Sequence, residues 1–303
     1  MITKVITNFD LGQIWQSGQC FRMTQVDENH FQVIAGDRFL EVEKLGVDAN
    51  LTVMDTDSTM PSGAPVIPNA GIQYALSCSE EEFDSFWYDY FDLGTDYFQK
   101  YIETINPRDK YLTSAAAFGS GIRILRQDLW EMIVSFLISQ QNNITRIRRC
   151  IQNICEKYGE ERTAPNGQKY FAFPTPEALA VLDDDDLKPC NLGYRSKYVV
   201  RAAKSVVSGE INLEAICQMN YKKAREELLK FFGVGEKVAD CICLFALHHL
   251  QAFPIDTHIN QALQAHYKRG FPNRRYHGFQ GVMQQYIFYY ELMGCPEVDY
   301  SEE

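Results

Sequence analysis

The chain has 303 residues, 46% of them apolar and 23% charged, with a net charge of −11. That length holds one large domain or two ordinary ones, and the balance is that of a globular protein, which excludes disorder, collagen and coiled coil. The acidic total argues against a nucleic-acid binder until its placement is read. Residues 1–110 hold 7 basic and 18 acidic residues, the remainder balances 22 against 22, and eight of those later acids sit at Asp183–Asp186, Glu297, Asp299, Glu302 and Glu303. A locally basic surface can therefore form on an acidic protein, and the local field governs phosphate contact. No apolar run approaches the roughly 20 residues that span a bilayer. The opening MITKVITNFDLGQIWQSG has no uninterrupted apolar segment. We therefore expect no signal peptide, a cytoplasmic protein without membrane contact, and nine reduced cysteines.

Taken in chain order, residues 1–110 read as strands and turns. His30 to Glu43 alternates about Gly36-Asp37, a two-residue hairpin signal. Residues 55–70 collect Asp, Ser, Thr and three prolines, which predicts a long surface loop. Residues 80–105 turn aromatic and helical. Asp128 is placed to cap an apolar-rich helix running to about Gly159, whose second half sets Arg146, Arg148 and Arg149 around one turn. Thr175-Pro176-Glu177 opens another helix with proline at its first position. Further helices are expected over 195–207, 221–232, 236–249 and 257–267. The pattern predicts an α+β protein: a strand-rich module over 1–115, then seven or eight helices over 116–303.

The most informative stretch is Tyr221 to Ala265. A helix ends at Gly233-Val234-Gly235 and a second begins at once. Two glycines one apart permit a tight reversal with positive φ and leave the next helix's free amides facing outward, where they and the helix dipole attract phosphate. Lys237 lies in the first turn of that second helix, where dipole arguments disfavour a cation. Helix N-terminus and desolvation both favour the neutral amine, which is the nucleophilic form. Nineteen residues on, Phe253-Pro254-Ile255-Asp256-Thr257-His258 breaks and restarts the chain, with Asp256 at an N-cap position. A phosphate contact explains Lys237 alone and capping explains Asp256 alone. The hairpin, lysine, spacer and Pro-x-Asp together are much harder to explain that way.

This combination resembles the hairpin-Gly/Pro-Asp superfamily of base-excision DNA glycosylases. Within it, GVGEKVADCICLFAL at 233–247 and FPIDTHI at 253–259 resemble the 8-oxoguanine DNA glycosylase family. SGQCFR at 17–22, GIRILRQDLWEMIVSFLISQQNNITRI at 121–147, LGYRSKYV at 192–199 and QGVMQQYIF at 280–288 match further family segments, so the resemblance covers most of the chain. It implies an N-terminal antiparallel sheet like that of the TATA-binding protein, followed by a helical helix-hairpin-helix domain. It also implies a bifunctional DNA glycosylase and abasic-site lyase, acting as a monomer on double-stranded DNA that contains 8-oxoguanine.

The resemblance assigns roles residue by residue. Lys237 is the nucleophile that attacks C1′ of the flipped nucleotide, and Asp256 stabilises charge on the sugar. Gly18 offers the carbonyl that accepts the N7 hydrogen of 8-oxoguanine, Phe288 and Cys241 sandwich the base, and Gln284 reads its Watson–Crick edge. His258 contacts phosphate, as do the hairpin residues Gly233, Gly235 and Val238. Tyr194 is the wedge inserted where the base leaves the stack, Arg146 and Arg195 read the opposite cytosine, and Gln141, with Asn142 next to it, replaces the asparagine that fills the vacated stack. Gln141 stands where the eukaryotic pattern has asparagine, a form that looks bacterial and points to a nucleoid-associated enzyme. Carbonyls of Leu229, Phe231 and Val234 match those that hold a structural monovalent or alkaline-earth cation, and no other cofactor is implied.

Other readings fit less well. Endonuclease III and adenine glycosylases carry four C-terminal cysteines around an iron–sulfur cluster, whereas only Cys295 lies beyond residue 243 here. The alkyl-adenine branch lacks the hairpin lysine. A non-catalytic damage sensor would need no Lys237 and Asp256 together. Cys241 and Cys243 face apart on a helix, which disfavours a metal site with His248 and His249.

Overall fold

The computed structural model describes residues 1–47 and 71–296. The loop expected over 55–70 and the acidic tail from Glu297 fall outside the described residues. Five strands, β1 (Ile2–Ile6), β2 (Met23–Gln25), β3 (His30–Ala35), β4 (Arg38–Val47) and β5 (Ile72–Leu76), form one antiparallel sheet in the order β1-β5-β4-β3-β2. The expected hairpin is present: β3 pairs with β4 from His30↔Glu43 to Ala35↔Arg38, and Gly36 turns it at φ +59°. Phe31, Val33 and Ala35 point into a core shared with Leu40, Val42, Tyr74 and Leu76, as period-two burial requires.

The strand reading of residues 1–110 needs one correction. A short helix, α1 (Leu11–Gln16), interrupts it, and Asp10 caps that helix by accepting the Gln13 N–H at 2.9 Å. Leu11 and Ile14 of α1, with Phe83, Trp87, Tyr90 and Phe91 from helical turns in the 80–105 stretch, cover the sheet's apolar face.

Ten α-helices follow residue 109 among the described residues, more than the seven or eight expected. They are α2 (Lys110–Phe118), α3 (Leu129–Ser139), α4 (Ile144–Tyr158), α5 (Pro176–Ala180), α6 (Ser196–Val207), α7 (Leu213–Cys217), α8 (Tyr221–Leu228), α9 (Glu236–Phe245), α10 (Thr257–His266) and α11 (Gln280–Leu292). The single helix expected from Leu129 to Gly159 is two. Gln141 sits at φ +48°, and Asn143 caps α4 by accepting the Arg146 N–H at 2.9 Å. Asparagine's side chain competes for nearby backbone groups and so favours a cap over a helix interior. The helices expected over 221–232 and 236–249 end earlier. Residues after Leu228 form the hairpin turn, and His248 takes a left-handed φ of +54°. α3 is the central helix, buried from Leu129 to Ile138, with the others packed around it.

The SGQCFR segment joins the two parts. Gln19, fully buried, donates to the Arg123 carbonyl at 2.9 Å and accepts the Leu125 N–H at 2.9 Å. Arg22 meets Glu131 of α3 at 3.4 Å, and the same carboxylate accepts the Gly36 N–H at 3.1 Å. Burial pushes the Glu131 carboxyl up, against the pull of Arg22. A two-stranded ribbon, β6 (Glu161–Thr163) and β7 (Lys169–Phe171), inserts between α4 and α5 and meets the β3–β4 turn, where Phe173 N–H donates to the Gly36 carbonyl at 3.0 Å.

Candidate active site

The hairpin between α8 and α9 has the backbone that its glycines require. Gly233 has φ +93°, and a Cβ there would lie 2.7 Å from Cγ of Tyr198, so any side chain would be strained and would collide with that ring. Gly235 is the N-cap of α9 with no side-chain cap, and a Cβ there would meet nothing within 4 Å. With no side chain capping them, the first amides of α9 suit an anion. Val238, one turn in, is buried and anchors the helix. Among the described residues the carbonyls of Leu229 and Val234 accept no protein hydrogen bond, while that of Phe231 accepts the Val234 N–H at 3.0 Å. Three carbonyls at one turn, two with free lone pairs, have the hard-oxygen character an alkali or alkaline-earth cation takes.

Lys237 points back from the first turn of α9 into a cavity of about 60 Å³. The cavity is also lined by Gly18, Cys241, Asp256, Gln284 and Phe288, so six sequence-predicted residues from four segments converge on one hollow. The Lys237 Nζ lies 5.7 Å from the centre of the Phe136 ring. Burial pushes the Cys241 thiol up, and the adjacent Lys237 opposes that shift. Asp256 Oδ1 accepts the Ile259 N–H at 2.9 Å, so the carboxylate caps α10 and is oriented by doing so. Gly18 has φ +72°, and a Cβ there would lie 3.2 Å from the Phe288 ring, which rests on the bare glycine. The His258 ring stands edge-on to Phe288 at 5.9 Å. Gln284 is buried and donates to the Pro254 carbonyl at 3.0 Å, while its Oε1 has no hydrogen-bond partner among the described residues. A buried orphan acceptor is costly unless something fills it.

The remaining predicted residues form a second cluster outside the cavity. Tyr194 is 45% exposed, and its hydroxyl donates to Gln141 Oε1 at 3.4 Å. Arg195 lies under that ring at 4.6 Å but is itself buried, donating to the Gln140 and Gln141 carbonyls. It braces the loop between α3 and α4. Asn142 donates to the Ile138 carbonyl at 3.1 Å, and the exposed Arg146 reaches the Asn191 carbonyl at 3.4 Å. Gln140 ties the cluster to the hairpin by donating to the Gly233 carbonyl at 3.0 Å. The sequence did not single out Phe136, Gln140, Gln285 or Tyr198. Phe136 is hidden in the continuous apolar run of α3, and the others act through neighbours. Among the described residues no three His, Cys, Asp or Glu side chains gather as metal ligands, so Cys241, Cys243, His248 and His249 form no such group.

Residues 1–133 match the model for the N-terminal domain of 8-oxoguanine DNA glycosylase, and residues 134–271 match that for HhH-GPD superfamily base-excision DNA repair proteins. An 8-oxoguanine glycosylase/lyase of Clostridium acetobutylicum, solved with double-stranded DNA carrying cytosine opposite 8-oxoguanine, superposes with a TM-score of 0.80 at 34% identity, over 97% of this chain and 98% of that one. An N-glycosylase/DNA lyase of Saccharomyces cerevisiae is 36% identical over 173 residues, 54% of this chain; the match spans 46% of the yeast protein's length. A 3-methyladenine DNA glycosylase of Archaeoglobus fulgidus shares the fold, with a TM-score of 0.67 at 19% identity. The sheet and the helical domain with its hairpin are thus those of a helix-hairpin-helix base-excision glycosylase. The chain belongs to the 8-oxoguanine DNA glycosylase family.

Proposed function

We propose that the protein is a bifunctional glycosylase that excises 8-oxoguanine from duplex DNA and then cleaves the strand at the abasic site. The observation that carries this is the convergence of Lys237, Asp256, Gly18 and Gln284 on one cavity. A base inside a duplex is out of reach, so the nucleotide flips out, with Tyr194 entering the stack and Gln141 and Asn142 beside it. The Phe288 ring rests on Gly18 and closes that side of the cavity. The Phe288 ring opens it by lifting from Gly18, and the base lodges between Phe288 and Cys241. The orphan Gln284 Oε1 accepts from the base's Watson–Crick edge, and the Gly18 carbonyl accepts the N7 hydrogen that guanine lacks.

The neutral Lys237 amine attacks C1′ as the C1′–N9 bond breaks, and the electron pair leaves with the base. Asp256, held by its capping bond, stabilises the positive charge that grows on the sugar. Loss of a proton from nitrogen and opening of the sugar ring give an imine. Removal of a C2′ proton then expels the 3′ phosphate by β-elimination. The lysine route calls for no cofactor. Gly233, Gly235, Val238 and His258 meet the backbone around the lesion, and a cation held by Leu229, Phe231 and Val234 would add positive charge there. Arg146 faces the opposite base, joined by the one Arg195 N–H that the Leu192, Gln140 and Gln141 carbonyls leave free. Residues 1–115 supply the Gly18 loop and 116–303 the nucleophile, all from one chain, so a monomer suffices. Duplexes with 8-oxoguanine opposite each of the four bases, scored separately for base release and nicking, test this. We expect both reactions, fastest opposite cytosine. Release of no oxidised purine would refute the substrate.

A further inference from the structure

We propose that Gln285 is a positioning residue for damaged-base recognition, acting through the backbone of Ser17 and Gly18. The proposal rests on the reading of Gly18 as the carbonyl that accepts the base's N7 hydrogen. Gln284 and Gln285 are neighbours on α11, both buried and both lining the cavity, yet they are used differently. Gln284 keeps a free acceptor. Gln285 directs its Nε2 across the domain junction and donates to the Ser17 carbonyl at 2.8 Å.

Gly18 needs this help. It has no side chain to pack, and its φ of +72° lies where glycine is conformationally free. Its flanks must therefore set where its own carbonyl points. On one side, Ser17 ends α1, its hydroxyl donating to the Ile14 carbonyl at 2.8 Å and accepting from Gln19 Nε2 at 3.0 Å. Gln285 satisfies the Ser17 carbonyl, which is the acceptor on the peptide joining Ser17 to Gly18. On the other side, Gln127 Nε2 donates to the Gln19 carbonyl at 2.8 Å. The Phe288 ring rests on the glycine itself. Without the Gln285 donor the buried Ser17 carbonyl is left unpaired, and the 17–18 peptide turns to find another partner. The Gly18 carbonyl turns with it, and hydrogen bonds weaken steeply with misalignment.

Gln285→Met keeps the length of the side chain without the donor, and Gln285→Leu keeps its branching. Single-turnover rates are measured for base release from an 8-oxoguanine:cytosine duplex and for β-elimination at a preformed abasic site. The abasic sugar offers Gly18 no base to read. We expect base release to fall about tenfold in both variants, the effect of one lost neutral hydrogen bond, with β-elimination within about twofold of the parent. Equal loss of both reactions would make Gln285 a general structural residue and overturn the proposal, as would unchanged base release. The parent enzyme separates the two levels: if it cleaves the abasic duplex but releases no 8-oxoguanine, the substrate reading itself fails and the proposal falls with it.

Discussion

At Asp256 two roles meet on one carboxylate. Its Oδ1 caps α10 through the Ile259 N–H, and the same group lines the cavity beside Lys237. Asparagine caps a helix about as well as aspartate but carries no charge. We therefore expect Asp256→Asn to keep its melting temperature within a few degrees while base release slows by about two orders of magnitude, the scale of losing one electrostatic stabiliser. An Asp256→Asn protein that unfolds would show that the cap was the greater role. Lys237→Gln is expected to bind the lesion duplex at near-parent affinity and to cleave no strand, as gel-shift and nicking assays can show. Lys237 was legible because a lysine at a helix N-terminus breaks a local preference, and Asp256 because a cap two residues after Pro254 completes a motif with it. Phe136 and Gln285 were not legible. An aromatic inside an apolar helix and a glutamine beside another glutamine have ordinary explanations until their contacts are seen.

Among the elements, the hairpin was the easiest to foresee, since Gly233-Val234-Gly235 states its own turn. The structure adds the neighbour that makes Gly233 irreplaceable, the Tyr198 ring 2.7 Å from where a Cβ would stand. Gly233→Ala is expected to cost about 1–2 kcal/mol from backbone strain alone, and more from the clash. Its DNA affinity should fall in parallel, measured by denaturant melts and fluorescence anisotropy. The sequence pattern predicts helix through the loop between α3 and α4. Its residues are polar but not helix-breaking, and only the Asn143 cap and the left-handed Gln141 divide the run. Asn143→Ala removes that cap at about 1 kcal/mol. That should lower the melting temperature by about 3 °C. Arg195 is buried beneath Tyr194. The family resemblance assigns it to reading the opposite cytosine, whereas most of its donors hold loop carbonyls.

Over the whole molecule, the division into a sheet and a helical bundle followed from where alternation gives way to helical spacing. The junction between them did not, because its ties join residues about a hundred positions apart. One tie is also a pH-sensitive element. Asp92 is buried near the junction, accepting from Arg126 Nη2 at 2.9 Å and the Tyr97 hydroxyl at 3.0 Å, with His248 at 3.4 Å. Burial alone would raise its carboxyl, but His248 and Arg126 outweigh that and hold it below the usual value. A depressed carboxyl stabilises the fold at pH above its unfolded value, near 4, and that stability is lost as pH falls through the lower folded value. Thermal melts of the parent should thus drop below about pH 4, while Asp92→Asn should be less stable at pH 7 and flatter in acid. The central claim, that Lys237 is the nucleophile, is tested most directly by borohydride reduction during turnover of an 8-oxoguanine duplex, with mass mapping of the protein–DNA adduct. The account predicts one adduct, on the peptide bearing Lys237 and absent from Lys237→Gln. An adduct on another residue, or active enzyme that forms none, would contradict it.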